Sequence, residues 1–175
     1  MTRIANAALA LVLGTGVLAA AVVLTPAEAA GGKTDALIQR GRYIAKVAGC
    51  NDCHTPGYAM TGGQVPEKDW LVGDRLGWQG PWGTTYPANL RLLLAKMSED
   101  EWVKLAHNVQ TRPPMPWFAL RDMTEQDLRS FHRFVRSLGP AGQPAPAYLP
   151  PGQTPQGPFV TFPQPPAAAQ KTAAK

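Results

Sequence analysis

Cys50-Asn51-Asp52-Cys53-His54 constrains this chain more than any other stretch, because it commits both of its cysteines and one of its three histidines to a single turn of backbone. The pattern is C-x-x-C-H, the attachment signature of a c-type haem. Thiols three positions apart can each close a thioether to one of the two haem vinyl groups. The histidine that follows is then held where its imidazole can ligate the iron. The expectation is one covalent haem c, with Cys50 and Cys53 as the thioether anchors and His54 as the proximal iron ligand. Competing chemistries fit less well. A thioredoxin-like pair belongs near a βαβ pattern, and Gly/Pro-rich loops and helical patterns surround this motif. Structural zinc needs four ligands. Outside the motif only His107, His132 and carboxylates remain, none at finger-like spacing. A disulfide across so short a gap would be strained and staple almost nothing.

The N-terminus bears on compartment. Arg3 supplies a positive n-region, Ile4 to Leu24 carries no charge, and Ala27-Glu28-Ala29 is an A-x-A cleavage site. The pattern predicts a cleaved signal peptide over 1–29 and a periplasmic location. Left uncleaved, the uncharged run of ~20 residues would be long enough to span a bilayer, the one route by which a membrane would be involved.

Two further regions follow. Residues 33–139 form a body of ordinary single-domain size. It is small for a self-sufficient core, and a buried haem would supply apolar mass. Residues 140–175 turn to Pro, Ala and Gln, a composition that forbids helix and predicts a largely irregular tail. Tyr148, Phe159, Val160 and Phe162 are the tail residues able to pin it to the body. The formal charge is +5, and losing the signal removes one basic and one acidic residue, leaving it unchanged. That charge serves solubility or steers docking to an acidic partner. The basic residues are scattered rather than clustered, which argues against nucleic acid.

Three segments read as helices around a haem, an all-α arrangement. Thr34 is an N-cap signal before Leu37, Gly41, Ile44, Ala45 and Ala48. Ser98-Glu99-Asp100-Glu101 is a capping box launching Trp102, Leu105, Ala106 and Val109. Thr124 caps a third helix carrying Leu128, Phe131, Phe134, Val135 and Leu138, stopped by Gly139-Pro140. Gly41 inside a helix costs about 1 kcal/mol against alanine. A close helix crossing would compensate, with Phe134 as the expected occupant.

From about Ala36 to Leu138 the chain resembles class I cytochromes c. The resemblance rests on the Gly41/Tyr43 helix, Cys50 to His54, a Met-Pro loop and the final aromatic helix. More narrowly, it resembles the cytochrome c domains of subunits that take electrons from membrane-bound alcohol and aldehyde dehydrogenases. The similar stretches are Thr61-Gly62-Gly63, Pro81-Trp82-Gly83-Thr84-Thr85-Tyr86 with Asn89, Met115-Pro116-Trp117, and Met123 to Leu128. Those subunits carry several C-x-x-C-H motifs, whereas this chain has one, and Leu90 to Met97 departs from the Thr-Pro-Asp usual there. The resemblance implies the class I cytochrome c fold, with first and last helices crossing around one haem. It also implies redox protein partners, a dehydrogenase donor and a respiratory acceptor.

The resemblance further implies a distal methionine in the Met-Pro loop, which is Met115. Arg112-Pro113-Pro114-Met115-Pro116 is stiffened by its prolines, and a ligand on a stiff loop loses little entropy on binding. Met60 is close in sequence to His54, and Met97 and Met123 read as hydrophobic staples before helix caps. His107 and His132 are the rival ligands, both expected at the surface. Trp70, Trp78, Trp82, Tyr86 and Trp117 read mostly as packing residues, one or two of which could donate to a haem propionate, and Arg75 or Arg91 could pair with one. The functional expectation is a monohaem electron carrier rather than an enzyme. The alternatives are an electron-transfer subunit fixed to one dehydrogenase, and a haem sensor or peroxidase with an open distal site.

Overall fold

A computed structural model describes residues 26–163. The signal segment expected over 1–29 lies outside the described residues except for 26–29, and so does the end of the tail, 164–175. The described chain is mainly helical with a small sheet. Its helices are α1 (Pro26–Val47), α2 (Cys50–His54), α3 (Leu90–Leu94), α4 (Glu99–Asn108), α5 (Trp117–Asp122) and α6 (Glu125–Leu138). Its strands are β1 (Gly77–Gly80), β2 (Gly83–Thr85) and β3 (Phe159–Thr161). No helix among the described residues is long and apolar enough to cross a membrane.

The crossing of α1 with α6 is the most extensive contact between elements. Gly41 makes it possible. A Cβ there would lie 2.0 Å from the Ser130 carbonyl oxygen and 2.7 Å from Phe134 Cβ. The expected occupant, Phe134, is thus joined by the α6 main chain itself, which only a glycine can admit. Ile44 and Ala45 of α1 meet Leu128, Phe131, Phe134 and Val135 of α6 in one buried cluster, completed by Trp70, Leu71, Leu94 and Trp102. Each large side chain buried there contributes about 1.5–3 kcal/mol by leaving water. Arg40 of α1 also holds Asp127 of α6 at 2.9 Å across the crossing.

Helices α4 and α6 start as their sequences dictate. The Ser98 hydroxyl accepts from the Glu101 amide, and the Glu101 carboxylate accepts from the Ser98 amide, a complete capping box. The Thr124 side chain accepts from the Asp127 amide, and Gly139 ends α6 at φ 70°. The start of α1 is different. Within the described residues the helix already runs from Pro26 through Thr34, so Thr34 is not its cap.

The all-α expectation is corrected by the sheet, whose strand order is β2-β1-β3. β1 and β2 form an antiparallel hairpin closed by Gly80 opposite Gly83 around Pro81-Trp82. β3 then adds to β1 in parallel, Trp78 opposite Val160. Residues 140–163 of the tail lack regular structure apart from β3, yet they form a strap against the body. The Asn89 amide donates to the carbonyls of Ala141 at 2.8 Å and Gln143 at 3.1 Å. Thr84 and Leu149 exchange main-chain hydrogen bonds of 2.8 and 3.0 Å. Proline density misled because Phe159-Val160-Thr161 contains no proline and is aromatic and β-branched, a run suited to a strand. Phe162 and Tyr148 reach the body, while Phe159 and Val160 remain exposed.

One residue of the core carries backbone strain. Leu71 is fully buried yet adopts a left-handed φ of 61°. Its amide donates to Thr55 Oγ1 at 2.8 Å, and its carbonyl accepts from the amides of Leu90 and Arg91.

Candidate functional site

Cys50, Cys53, His54 and Met115 all line one cavity of about 460 Å³. Its remaining walls are mostly apolar, with Trp102 and Leu105 from α4, Leu120 from α5, Phe131 from α6, and the Tyr86–Leu90 loop. The four residues read from the sequence as haem contacts therefore share one space.

Local structure sets the motif. Gly49 takes a left-handed φ of 71° and turns the chain from α1 into α2. Residues three apart on a helix lie on one face, so α2 presents Cys50 and Cys53 together. Asn51 between them is fully buried, and its side-chain carbonyl accepts from the Thr55 hydroxyl at 2.9 Å. Thr55 in turn receives the Leu71 amide. The Gly73 amide donates to the His54 carbonyl at 2.9 Å. The motif is thus tied through buried polar contacts to residues far along the chain.

His54 Nδ1 lies 2.7 Å from the Ala88 carbonyl oxygen. A carbonyl only accepts, so Nδ1 carries the proton and Nε2 keeps its lone pair. Burial pushes the imidazole below its ordinary 6.5, which favours the neutral form that can bind a metal. Burial also pushes the Cys50 thiol up to about 12 and raises Cys53. Both stay protonated at neutral pH, which argues against the low-pKa thiolate chemistry of a thioredoxin-like pair. Among the described residues no three His, Cys, Asp or Glu side chains converge on one point as a zinc ion would require.

The methionines separate clearly. Met60 is 93% exposed and outside the cavity lining. Met97 is also outside that lining. Met123 lines the cavity but packs against the hydrophobic core, as its staple position requires. Met115 lines the cavity without joining the core cluster, so core filling does not account for it. Of the histidines, His107 is exposed as expected. His132 corrects the surface expectation. It is buried because its Nε2 donates to the Met97 carbonyl at 2.9 Å, bridging α6 to the turn before α4. Neither lines the cavity.

The polar candidates for propionates also sort. Trp78 lines the cavity, and its indole Nε1 is buried without a hydrogen-bond partner. Tyr86 lines it too. Trp70 is committed, its Nε1 donating to the Val65 carbonyl at 2.8 Å, and Trp82 and Trp117 lie outside the lining. Arg91 is spent on the main chain: it donates to the Gly139 carbonyl at 2.5 Å, the Lys68 carbonyl at 2.6 Å and the Leu138 carbonyl. Arg75 does not line the cavity, whereas Arg112, which sequence reasoning passed over, does. The available signal was its position beside Pro113-Pro114-Met115. Two thiols, an imidazole of fixed tautomer, a thioether, an orphaned buried indole N–H and apolar walls together form a donor set that fits a covalently held haem.

No protein-family model, curated protein or solved structure matches the chain.

Proposed function

We propose that this chain is a periplasmic monohaem c-type cytochrome, of the class I kind, carrying single electrons between a dehydrogenase and a respiratory acceptor. The carrying observation is that Cys50, Cys53, His54 and Met115 line one apolar cavity, with His54 already in the tautomer that offers Nε2. In this reading Cys50 and Cys53 each form one thioether. His54 is the proximal ligand and Met115 the distal one. Trp78 Nε1 and Tyr86 are the donors available to a propionate, with Arg112 as the nearby cation. When bound, a haem with imidazole and thioether ligands supplies a one-electron ferric/ferrous couple with no open position for substrate. The chain's part is to hold both ligands, exclude water with Trp102, Leu105 and Phe131, and change little between the two states. It is a carrier, not a catalyst in itself.

Acid extraction into organic solvent tests the attachment. Haem should stay with the denatured polypeptide, and haem that leaves would rule the thioethers out. The spectrum with and without carbon monoxide then tests the distal site. A low-spin ferric protein that binds carbon monoxide poorly when reduced supports Met115 as ligand. Ready binding would instead favour a sensor or peroxidase.

A further inference from the structure

The loop from Gln110 to Pro116 has little to hold it. Pro113, Pro114 and Pro116 bring no amide donors. The loop's own ties are the Thr111 hydroxyl to the Met115 carbonyl at 3.3 Å and the Trp117 amide to the same carbonyl at 2.9 Å. The Ala119 amide of α5 donates to the Pro116 carbonyl at 2.9 Å, and two further contacts come from farther away in the chain. The Thr85 hydroxyl of β2 donates to the Pro113 carbonyl at 2.9 Å. The Arg112 guanidinium sits 3.9 Å from the centre of the Tyr148 ring, against 5.4 to 5.6 Å in the other cation–aromatic pairs described.

Tyr148 belongs to the strap, and its position is built. Its hydroxyl donates to the Trp82 carbonyl at 2.8 Å. The neighbouring Leu149 is paired with Thr84 on the main chain. Gly83 leaves the space. A Cβ there would lie 2.9 Å from the Tyr148 ring and 2.2 Å from the Leu149 carbonyl oxygen. No strap residue lines the cavity, whereas Arg112 and Met115 both do. Any effect of the strap on the cavity through this contact must pass by way of Arg112.

We propose that Tyr148 is a positioning residue for Met115: the C-terminal strap clamps the Arg112–Met115 loop and keeps the thioether in the cavity. The inference rests on the reading of Met115 as distal ligand. A cation–aromatic contact of this kind strengthens as it is desolvated. Its loss raises the population of loop conformations with Met115 withdrawn.

The test uses the holoprotein and the variants Tyr148→Leu, Tyr148→Phe, Arg112→Gln and the Tyr148→Leu/Arg112→Gln pair. The main readout is the rate of carbon monoxide binding to the reduced protein. Amide hydrogen exchange at Thr111, Arg112 and Trp117 is the second, and reports the loop directly. Tyr148→Leu should speed carbon monoxide binding about tenfold, the factor that ~1.4 kcal/mol corresponds to. Tyr148→Phe keeps the ring and loses only the tie to Trp82, so its rise should be smaller and of the same sign. The pair should exceed neither single change by much, since both remove one contact. A Tyr148 variant that melts earlier but leaves carbon monoxide binding and loop exchange unchanged would overturn the clamp, as would strict additivity in the pair. If the unmodified protein already binds carbon monoxide freely, the Met115 reading fails and the clamp falls with it. If Tyr148→Leu does not fold, Tyr148→Phe and Arg112→Gln decide the matter by the same readouts.

Discussion

On the Cys50–His54 wall of the cavity, the contacts run through buried side chains and the main chain. Asn51 and Thr55 link α2 to Leu71, the Gly73 amide reaches the His54 carbonyl, and Ala88 holds the imidazole. On the Met115 wall the contacts are few, the prolines are dense, and the outside ties come from β2 and a partly exposed strap. One wall is over-determined and the other is held at a few points. In the proposed reading, a site built this way would fix His54 as part of the fold and leave Met115 as the replaceable partner. Exposed contacts open with less free energy than buried ones, so fluctuation in this site belongs to the methionine loop.

The largest effect should come from breaking the firm wall. His54→Ala should leave little or no mature holoprotein in a haem stain of the periplasmic fraction, because a missing ligand costs folding as well as binding. Breaking the loose wall should be milder. Met115→Ala should yield holoprotein that is partly high-spin in the ferric state and binds carbon monoxide readily. Its potential should fall by on the order of 100 mV, well inside the ~0.8 V that axial ligands span. Met123→Leu keeps volume and should cost under about 1.5 kcal/mol with a native spectrum. A low-spin, ligand-resistant Met115→Ala protein would dissolve the contrast between the walls.

Next in size is the crossing behind the firm wall. Gly41→Ala places a Cβ on the Ser130 carbonyl and should cost about 3 kcal/mol, read as a midpoint lower by about 10 °C in a thermal melt. An unchanged midpoint would mean that α6 can shift without disturbing the core. Smallest is the surface tie across that crossing. The Arg40 guanidinium holds the Asp127 carboxyl below its ordinary 3.8. A carboxylate depressed in the folded state stabilises above its unfolded pKa, and that contribution fades as pH falls through the folded value. Asp127→Asn should therefore melt slightly earlier than the parent at pH 7, by under about 1 kcal/mol. The two should converge as pH drops below about 3.8. A gap that persists in acid would assign the effect to packing instead of charge.

The candidate site could be picked out of the sequence because its residues are local. Cys50, Cys53 and His54 sit within five consecutive residues, and Met115 is marked by adjacent prolines. The α4 and α6 caps were legible for the same reason, since a capping hydroxyl and its N3 partner are three residues apart. What escaped is what depends on distant pairing. β3 is short and joins a strand far earlier in the chain. The cap of α3 was visible in principle, because Asn89 precedes Leu-Arg-Leu-Leu and accepts from the Leu92 amide at 3.0 Å. Its leucine-rich run has no polar face of its own, so the pattern alone does not separate helix from buried strand. The burial of His132 rests on the Met97 carbonyl, and the role of Arg91 rests on three carbonyls from two distant stretches of the chain. No sequence pattern marks such acceptors.

Leu71 illustrates frustration in this fold. Its left-handed backbone asks for glycine or asparagine, and its full burial asks for a branched hydrocarbon. The backbone demand costs about 1–2 kcal/mol. Emptying a buried leucine site costs about 2–5 kcal/mol. The core demand is the larger, so the strain is retained. Glycine would relieve the backbone and open a void beside Trp70, while asparagine would bring a buried amide in need of partners. Valine and isoleucine would keep the oil and worsen the strain through their branched Cβ. Each of these exchanges loses more than it gains. Position 71 is therefore a local optimum among these residues, and the hydrogen bonds that Leu71 shares with Thr55, Leu90 and Arg91 are built around that compromise.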